Sequence, residues 1–303
     1  MNLQERLAAH RFVLTAEVTP PVSFDRADLL AKALPLKGLA DAVNVTDGAG
    51  ARPHLAAVTA AAILAAEGVE PILQFTCRDR NRIALQSDLM AAAASGVRNL
   101  LMLRGDDPSA GDQPDAKPVF DLDARQLLEL ARALRDTGEL PSGRKVSGRA
   151  AFFLGGADSP LDPPAGWEPK GLAAKHAAGA QFVQTQFCMD ADIVRRYMAR
   201  LADHGLADKL HVIVGVVPLR SAKSTRWIKD KLFGAIIPDA HISRMEQASD
   251  PAAEGRRICV EVIEQLADIP HVAGCHIMAP NHEEAVPPVI TEARKRVKRL
   301  AVA

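Results

Sequence analysis

The sequence predicts an α/β fold in which eight parallel strands and their helices close into a βα (TIM) barrel. Short β-rich runs recur along the 303 residues, Ala- and Leu-rich stretches with helical spacing separate them, and the runs number eight. An open doubly wound sheet is the alternative that the same alternation allows. We expect one catalytic domain over 1–303, since no linker interrupts the alternation.

The predicted strands are runs rich in apolar and β-branched residues. The first is 12–17 (FVLTAE), which lies just before the double proline Pro20–Pro21. The others are predicted at 41–46 (DAVNVT), 70–76 (EPILQFT), 98–103 (RNLLML), 148–153 (GRAAFF), 181–185 (QFVQT), 210–215 (LHVIVG) and 271–278 (HVAGCHIM).

Helical spacing is clearest in three of the intervening stretches. Helices are predicted over 53–66, 123–136 and 251–267, where Pro53 and Pro251 suit a first helical turn. Two polar, Pro- and Gly-rich loops, 104–121 and 154–169, follow the fourth and fifth predicted strands. In a barrel both loops would lie at the carboxyl-terminal face, where the βα loops build active sites.

Charge and hydropathy exclude several classes of protein. Lys plus Arg and Asp plus Glu both count 37, so no excess charge favours nucleic acid or an anionic membrane. No run approaches the roughly 18 apolar residues of a membrane span. The start of the sequence, MNLQERLAAHRFV, lacks the features of a secretory signal. We therefore expect a cytoplasmic protein that binds neither nucleic acid nor membrane.

The four cysteines are scattered, which argues against a disulfide framework and a local metal site. We accordingly predict no bound metal. Cys77 stands next to Arg78, so it is either an activated thiol or a small buried side chain.

Glu17 raises the main functional question, because it stands at the end of a buried strand, where an unpaired charge is expensive. It is either the first solvated residue of a loop or a catalytic acid at the mouth of a barrel. Other polar residues also follow strands and would lie on the same face: Thr46, Asp47, Gln74, Thr76, Arg104, Gly105, Asp106, Gln184, Gln186, Asn281 and His282.

These side chains permit a limited chemistry. No nucleophile triad and no phosphate-binding glycine loop stands out. The carboxylates Glu17 and Asp106 with the amides Gln74 and Gln186 suit an uncharged heterocycle that is held by hydrogen bonds and protonated by a carboxylic acid. This set alone does not identify a cofactor.

Several ordered motifs resemble the methylenetetrahydrofolate reductase family over about 10–295. They are EVTPP, VNVTDGAGA, FTCRDRNRIALQSDL, GVRNLLMLRGDDP, FDLDARQLL, KHAAGAQFVQTQF and VIVGVVPLRS. The resemblance implies an eight-stranded βα barrel without the regulatory domain of animal members. It also implies reduction of methylenetetrahydrofolate to methyltetrahydrofolate by NADH or NADPH through bound FAD, a step of one-carbon metabolism and methionine biosynthesis.

The resemblance also implies roles for residues. Glu17 matches the general acid, and Asp106 matches a carboxylate beside the flavin and the pterin. Gln186 matches the glutamine that recognises the pterin, and His282 falls where some members have a folate-contacting Arg. The residues implied at the cofactor are Thr46, Gln74, Arg104, Gly105, Asp106, Phe152, Glu168 and Lys175.

The sequence departs from the family pattern mainly at the cofactor. Gln74 replaces a flavin-contacting His of many members, and Phe152 and Gly156 replace a Tyr and a His that help to hold FAD. Two alternatives therefore stay open. One is a flavin-free reductase with direct hydride transfer from nicotinamide, and the other is a folate-binding subunit that needs a partner chain. A homo-oligomer is also possible.

Overall fold

Eight parallel strands form a closed barrel in the computed structural model, which describes residues 1–280 and 282–300. Each strand pairs with the next along the chain, and the last pairs with the first, so the predicted barrel is confirmed and the open sheet is wrong. The strands are Val13–Val18 (β1), Ala42–Val45 (β2), Pro71–Thr76 (β3), Asn99–Leu103 (β4), Phe153–Asp158 (β5), Phe182–Phe187 (β6), His211–Val216 (β7) and Val272–Ile277 (β8).

Helices connect the strands and cover the outside of the barrel. Local capping fixes several of their starts: Asp123 and Gln126 form a capping box at one helix, and Asp250 caps another that has Pro251 in its first turn. The helices are Leu3–Ala8 (α1), Arg26–Ala33 (α2), Ala57–Ala66 (α3), Arg82–Ala94 (α4), Ala124–Asp136 (α5), Lys170–Ala178 (α6), Ala191–Asp203 (α7), Ala222–Lys231 (α8), Asp239–Gln247 (α9), Pro251–Ala267 (α10) and Val286–Arg296 (α11).

Two predicted boundaries are wrong. β5 begins at Phe153, where the prediction had it end, so the predicted strand 148–153 and the loop from 154 are both displaced. The prediction failed because Gly155 and Gly156 were taken as loop residues, although they lie in the strand. Helix α3 begins at Ala57, so Pro53 lies before its first turn. The other predicted strands overlap observed ones along most of their length.

The barrel interior is built in layers, because alternate residues of each strand point inward. The lowest layer is apolar, and Leu3 and Leu7 of α1 pack against it from below. In this floor Phe153 and Phe182 stack with their ring centroids 4.9 Å apart. Its remaining members come from one position on each of five strands: Val13, Ala42, Ile72, Leu101 and Ile213.

A polar layer lies above the floor, nearer the carboxyl ends of the strands. It contains Thr15, Asn44, Gln184 and His276, all of them buried. The outward-facing residues of the strands pack against the helices in a separate, larger apolar core. Within the described part of the chain, no helix combines the length and the apolar character needed to cross a membrane.

Candidate active site

Glu17 lies inside the barrel mouth. It is two residues after Thr15 on β1, so both side chains point into the barrel. Its side chain is 14% exposed, so it is not a solvated loop residue. Gln74 of β3 donates from Nε2 to Oε2 of Glu17 at 2.8 Å. His276 of β8 places its Nε2 3.6 Å from the same oxygen. The carboxyl group is therefore held in the mouth by side chains from two other strands.

A cavity of about 450 Å³ opens above the polar layer. Parallel strands bring their carboxyl ends to one rim, and six strands contribute to its lining. Apolar wall is supplied by Leu101, Leu103 and Met278. A cavity of this kind, apolar with a few converging polar groups, suits a small heterocyclic ligand. The polar lining includes Glu17, Gln74, Asp158, Lys175, Gln186 and His276.

The β5–β6 side of the cavity carries a charged group of three residues. Lys175 of α6 donates from Nζ to the carbonyl of Ala157, and that nitrogen lies 3.5 Å from Oδ1 of Asp158. Tyr197 of α7 donates its hydroxyl to Oδ2 of the same carboxylate. Burial raises the pKa of Tyr197, so its hydroxyl remains a donor at neutral pH. Lys175 therefore reaches the cavity in an ion pair, and its predicted contact with the cofactor phosphates stays a prediction.

Gln186 lies at the end of β6 and lines the same cavity as Glu17. Its predicted contact with the pterin stays a prediction. Its Oε1 accepts a hydrogen bond from the amide of Phe187 at 3.0 Å, which leaves its Nε2 as the donor end of the amide.

Asp106 lies beyond the end of β4 and therefore at the same end of the barrel as Glu17. Its Oδ2 accepts from the amide of Gly50 at 3.1 Å, so it faces the loop after β2. Arg104 stacks over the ring of Phe120, 4.5 Å from the centroid. Both side chains are exposed, and the prediction that they contact ligands stays a prediction.

Two further residues predicted at the cofactor are Thr46, which directly follows β2, and Gly105, which lies shortly after β4. Thr46 is buried, and its Oγ1 has no hydrogen-bond partner within the described residues. Gly105 has φ +90°, and a Cβ there would approach Cβ of Arg78 to 3.0 Å and Cβ of Thr76 to 3.2 Å. A residue with a side chain would be strained here, and the space that its Cβ would need is already taken by Arg78 and Thr76. A second cavity of about 280 Å³ lies beside these loops and is lined by residues that include Asp47 and Arg78.

One predicted site residue, Phe152, is not brought to the mouth. Phe152 precedes β5, so it lies at the amino-terminal end of the barrel, where it is buried in the outer core. Its predicted place at the cofactor is therefore wrong, and Ala157 and Ser159 line the cavity from this strand instead. Glu168 lies in the loop between β5 and α6, where it is exposed and pairs with Lys170 at 3.5 Å. Its predicted contact with the cofactor stays a prediction.

The loop after β8 holds two predicted residues. His282 is half-buried and places Nδ1 2.9 Å from Oε1 of Glu284. Its predicted contact with folate stays a prediction. Asn281 lies outside the described residues. The activated-thiol interpretation of Cys77 is wrong, because burial raises its pKa to about 11 and the thiol stays protonated at neutral pH.

Sequence reasoning missed His276 and Asp158, both of which line the cavity. His276 lies within an apolar run, and its meeting with Glu17 depends on the closure of β8 onto β1. Asp158 was assigned to a loop because the end of β5 was misplaced. Its signal was the pair of glycines in LGGAD, which is typical of a strand that another group approaches closely.

Comparison with known proteins shows which family the sequence matches. A family model described as methylenetetrahydrofolate reductase matches residues 2–294. A protein of Caenorhabditis elegans named "Probable methylenetetrahydrofolate reductase (NADPH)" is 27% identical over 236 residues, which are 75% of this chain and 33% of that protein. Methylenetetrahydrofolate reductase 2 of Saccharomyces cerevisiae is 24% identical over 275 residues, 86% of this chain and 42% of the other. The chain thus spans less than half the length of these relatives.

Solved structures support the fold. An uncharacterized protein from Clostridium thermocellum that binds two copies of 5-methyl-5,6,7,8-tetrahydrofolic acid superposes with a TM-score of 0.67 at 12% identity, covering 97% of this chain and 99% of that one. A 2,3-dimethylmalate lyase superposes with a TM-score of 0.50 at 15% identity, covering 99% and 86%. Barrels of this kind host many chemistries, so function has to be argued from the site.

Proposed function

The chain belongs to the methylenetetrahydrofolate reductase family, and on this premise we propose that it reduces 5,10-methylenetetrahydrofolate to 5-methyltetrahydrofolate with hydride from NADH or NADPH. The observation that carries the proposal is the position of Glu17. It is a largely buried carboxyl group in the mouth cavity, with Gln186 in the same lining. A solved protein of the same fold binds 5-methyl-5,6,7,8-tetrahydrofolic acid, which supports a folate as the ligand class.

The proposed role of Glu17 follows from the chemistry of the substrate. The five-membered ring of methylenetetrahydrofolate must open to an iminium before hydride can add, and opening requires a proton on the departing nitrogen. Protonated Glu17 supplies this proton, directly or through a water, as a general acid. Hydride then adds to the iminium carbon, so one proton and one hydride convert the methylene group to a methyl group.

Other residues would orient the substrate and adjust the charge of the site. The amide of Gln186 is suited to the donor and acceptor edge of the pterin, since its Nε2 is not engaged by the hydrogen bond to Phe187. The carboxylate of Asp106, at the same end of the barrel, would favour the cationic iminium. Leu101, Leu103 and Met278 would exclude water from the face of the ring.

The residues at the mouth fit FAD on one side of the site. The unpaired hydroxyl of Thr46 would contact its ring, beside Gly105, Arg104 and Asp106. When bound, FAD would accept hydride from the nicotinamide and deliver it to the folate. Lys175 lies on the far side of the cavity in an ion pair with Asp158, so it would contact a phosphate only by sharing that pairing.

A flavin-free reductase is the second candidate, and the placement of the predicted cofactor residues favours it. Phe152 lies at the other end of the barrel, so one implied FAD contact is missing. Gln74, in place of a flavin-contacting His, is engaged with Glu17. In this case NADH or NADPH would transfer hydride directly, and Glu17 would keep the same role.

The absorbance spectrum of the purified protein separates these two candidates. If FAD is bound, we expect a yellow protein with flavin absorption bands and one flavin per chain after denaturation. Thr46→Val, which removes the unpaired hydroxyl and keeps the shape, should then weaken flavin retention on dialysis. A colourless protein that reduces methylenetetrahydrofolate with NADH or NADPH, without added flavin, would establish the flavin-free candidate. No turnover under either condition would contradict the proposed reductase.

A further inference from the structure

The polar layer forms a continuous chain of hydrogen bonds below Glu17. Asn44 donates from Nδ2 to Oε1 of Gln184 at 2.6 Å, and Gln184 donates from Nε2 back to Oδ1 of Asn44 at 3.0 Å. Nε2 of Gln184 also donates to Oγ1 of Thr15 at 3.2 Å. The hydroxyl of Thr15 stands 2.9 Å from Nδ1 of His276. The chain ends at Nε2 of His276, 3.6 Å from Oε2 of Glu17.

The hydrogen bonds of this series donate in one direction, toward His276. Both protons of the Gln184 amide are used, so Oγ1 of Thr15 accepts one of them and its own proton is directed to Nδ1 of His276. A neutral imidazole that accepts at Nδ1 carries its proton on Nε2. That proton then points toward Oε2 of Glu17. Turning both amides around would reverse every donor and move the imidazole proton to Nδ1, so the tautomer of His276 reports the direction.

The two oxygens of Glu17 are therefore not equivalent. Oε2 accepts a hydrogen bond from the amide of Gln74 at 2.8 Å, and Nε2 of His276 lies 3.6 Å from it, just beyond hydrogen-bond distance. An oxygen that faces donors is an acceptor and is a poor place for an acidic proton. The proton of the neutral acid is left to Oε1.

We propose that His276 is a positioning residue that, with Gln74, holds Oε2 of Glu17 as an acceptor and so reserves Oε1 as the oxygen that delivers the proton to the substrate. The inference rests on the proposed role of Glu17 as general acid. His276 itself touches neither substrate nor reacting atoms in this scheme. Its donor also stabilises the carboxylate that remains after proton transfer, because a hydrogen bond to an ionised group is stronger than one to a neutral group.

Two substitutions of His276 separate the donor from the rest of the side chain. Asn places its terminal atoms near the position of Nδ1, so His276→Asn can keep the contact with Thr15 but has no donor toward Glu17. Gln reaches the position of Nε2, so His276→Gln can still donate to Oε2. We expect His276→Asn to lower kcat for folate reduction by roughly 10- to 100-fold, the worth of a hydrogen bond to a charged group, with KM nearly unchanged. His276→Gln should recover most of the loss.

Equal losses in the two variants, or no loss in either, would overturn the inference. Thermal unfolding of each variant and binding of methyltetrahydrofolate by calorimetry show whether the barrel and the folate site are intact. A loss of kcat in a variant that melts and binds like the parent cannot be assigned to misfolding.

A second measurement tests the geometry without turnover. In protein labelled with ¹⁵N-histidine, the ring signals of His276 are assigned by their disappearance in His276→Asn. We expect the neutral tautomer with the proton on Nε2. A proton on Nδ1, or on both nitrogens, would overturn the inference. If Glu17→Gln is inactive but His276→Asn is not, this inference alone fails. If Glu17→Gln keeps full activity, the proposed acid role fails first.

Discussion

Glu17→Gln should reduce the turnover of methylenetetrahydrofolate by roughly 100-fold or more, the scale of general acid catalysis. This loss corresponds to about 3 kcal/mol of barrier. Glutamine is nearly isosteric with glutamate and can still hydrogen-bond to Gln74, but it has no acidic proton for the departing nitrogen. The rate is followed by the oxidation of NADH or NADPH at saturating folate.

Two controls make this result specific to the acid. Glu129→Gln is the same chemical change on the exposed surface of α5, where Glu129 pairs with Arg125, and it should leave turnover unchanged. Binding of methyltetrahydrofolate to Glu17→Gln should stay close to that of the parent, because no proton is transferred on binding the product. A small change in turnover, or a loss explained by folate binding alone, would contradict the acid role.

Phe182→Ala should lower the free energy of unfolding by about 3–5 kcal/mol, the usual cost of removing a buried aromatic ring. Phe182 is fully buried in the floor of the barrel and stacks on Phe153. The ring also occupies the space that a side chain at residue 155 would need, since a Cβ on Gly155 would come within 2.3 Å of it. Unfolding in urea, followed by circular dichroism, measures the loss.

A double-mutant cycle tests whether residue 155 has to be a glycine because of the ring of Phe182. Gly155→Ala alone should cost about 1–3 kcal/mol, because the new methyl group overpacks the floor. In the Phe182→Ala background the same methyl group enters the space that the ring has left. The double variant should therefore be more stable than the sum of the two single losses predicts. Additive losses would show that Gly155 is required for another reason.

The alternation of strands and helices was sufficient to predict the barrel, because each buried strand is a distinct apolar run between turn residues. Glu17 was found from the sequence for a related reason. A carboxylate at the end of such a run has to be either solvated or used, and it lies inside the mouth. Gln186 was found in the same way, at the end of β6.

β5 could not be predicted correctly because its composition depends on a neighbouring strand. A glycine such as Gly155 is unfavourable in an isolated strand. It fits in β5 because the ring of Phe182 occupies the space that a side chain at residue 155 would need. The error moved Phe152 to the wrong end of the barrel and hid Asp158 in a loop. His276 was missed because its partner Thr15 is 261 positions away and meets it only when the barrel closes.

Leu3 and Leu7 close the barrel from below. In the described part of the chain, molecules that reach Glu17 therefore enter and leave through the mouth at the carboxyl-terminal end. Ligands that share one opening bind and dissociate in a fixed order, in which the ligand bound deeper enters first and leaves last. A compound bound across the rim would then block both the entry and the exit of ligands without contacting the carboxylate of Glu17. We expect such a compound to slow the release of bound methyltetrahydrofolate as well as its entry, which stopped-flow fluorescence would detect.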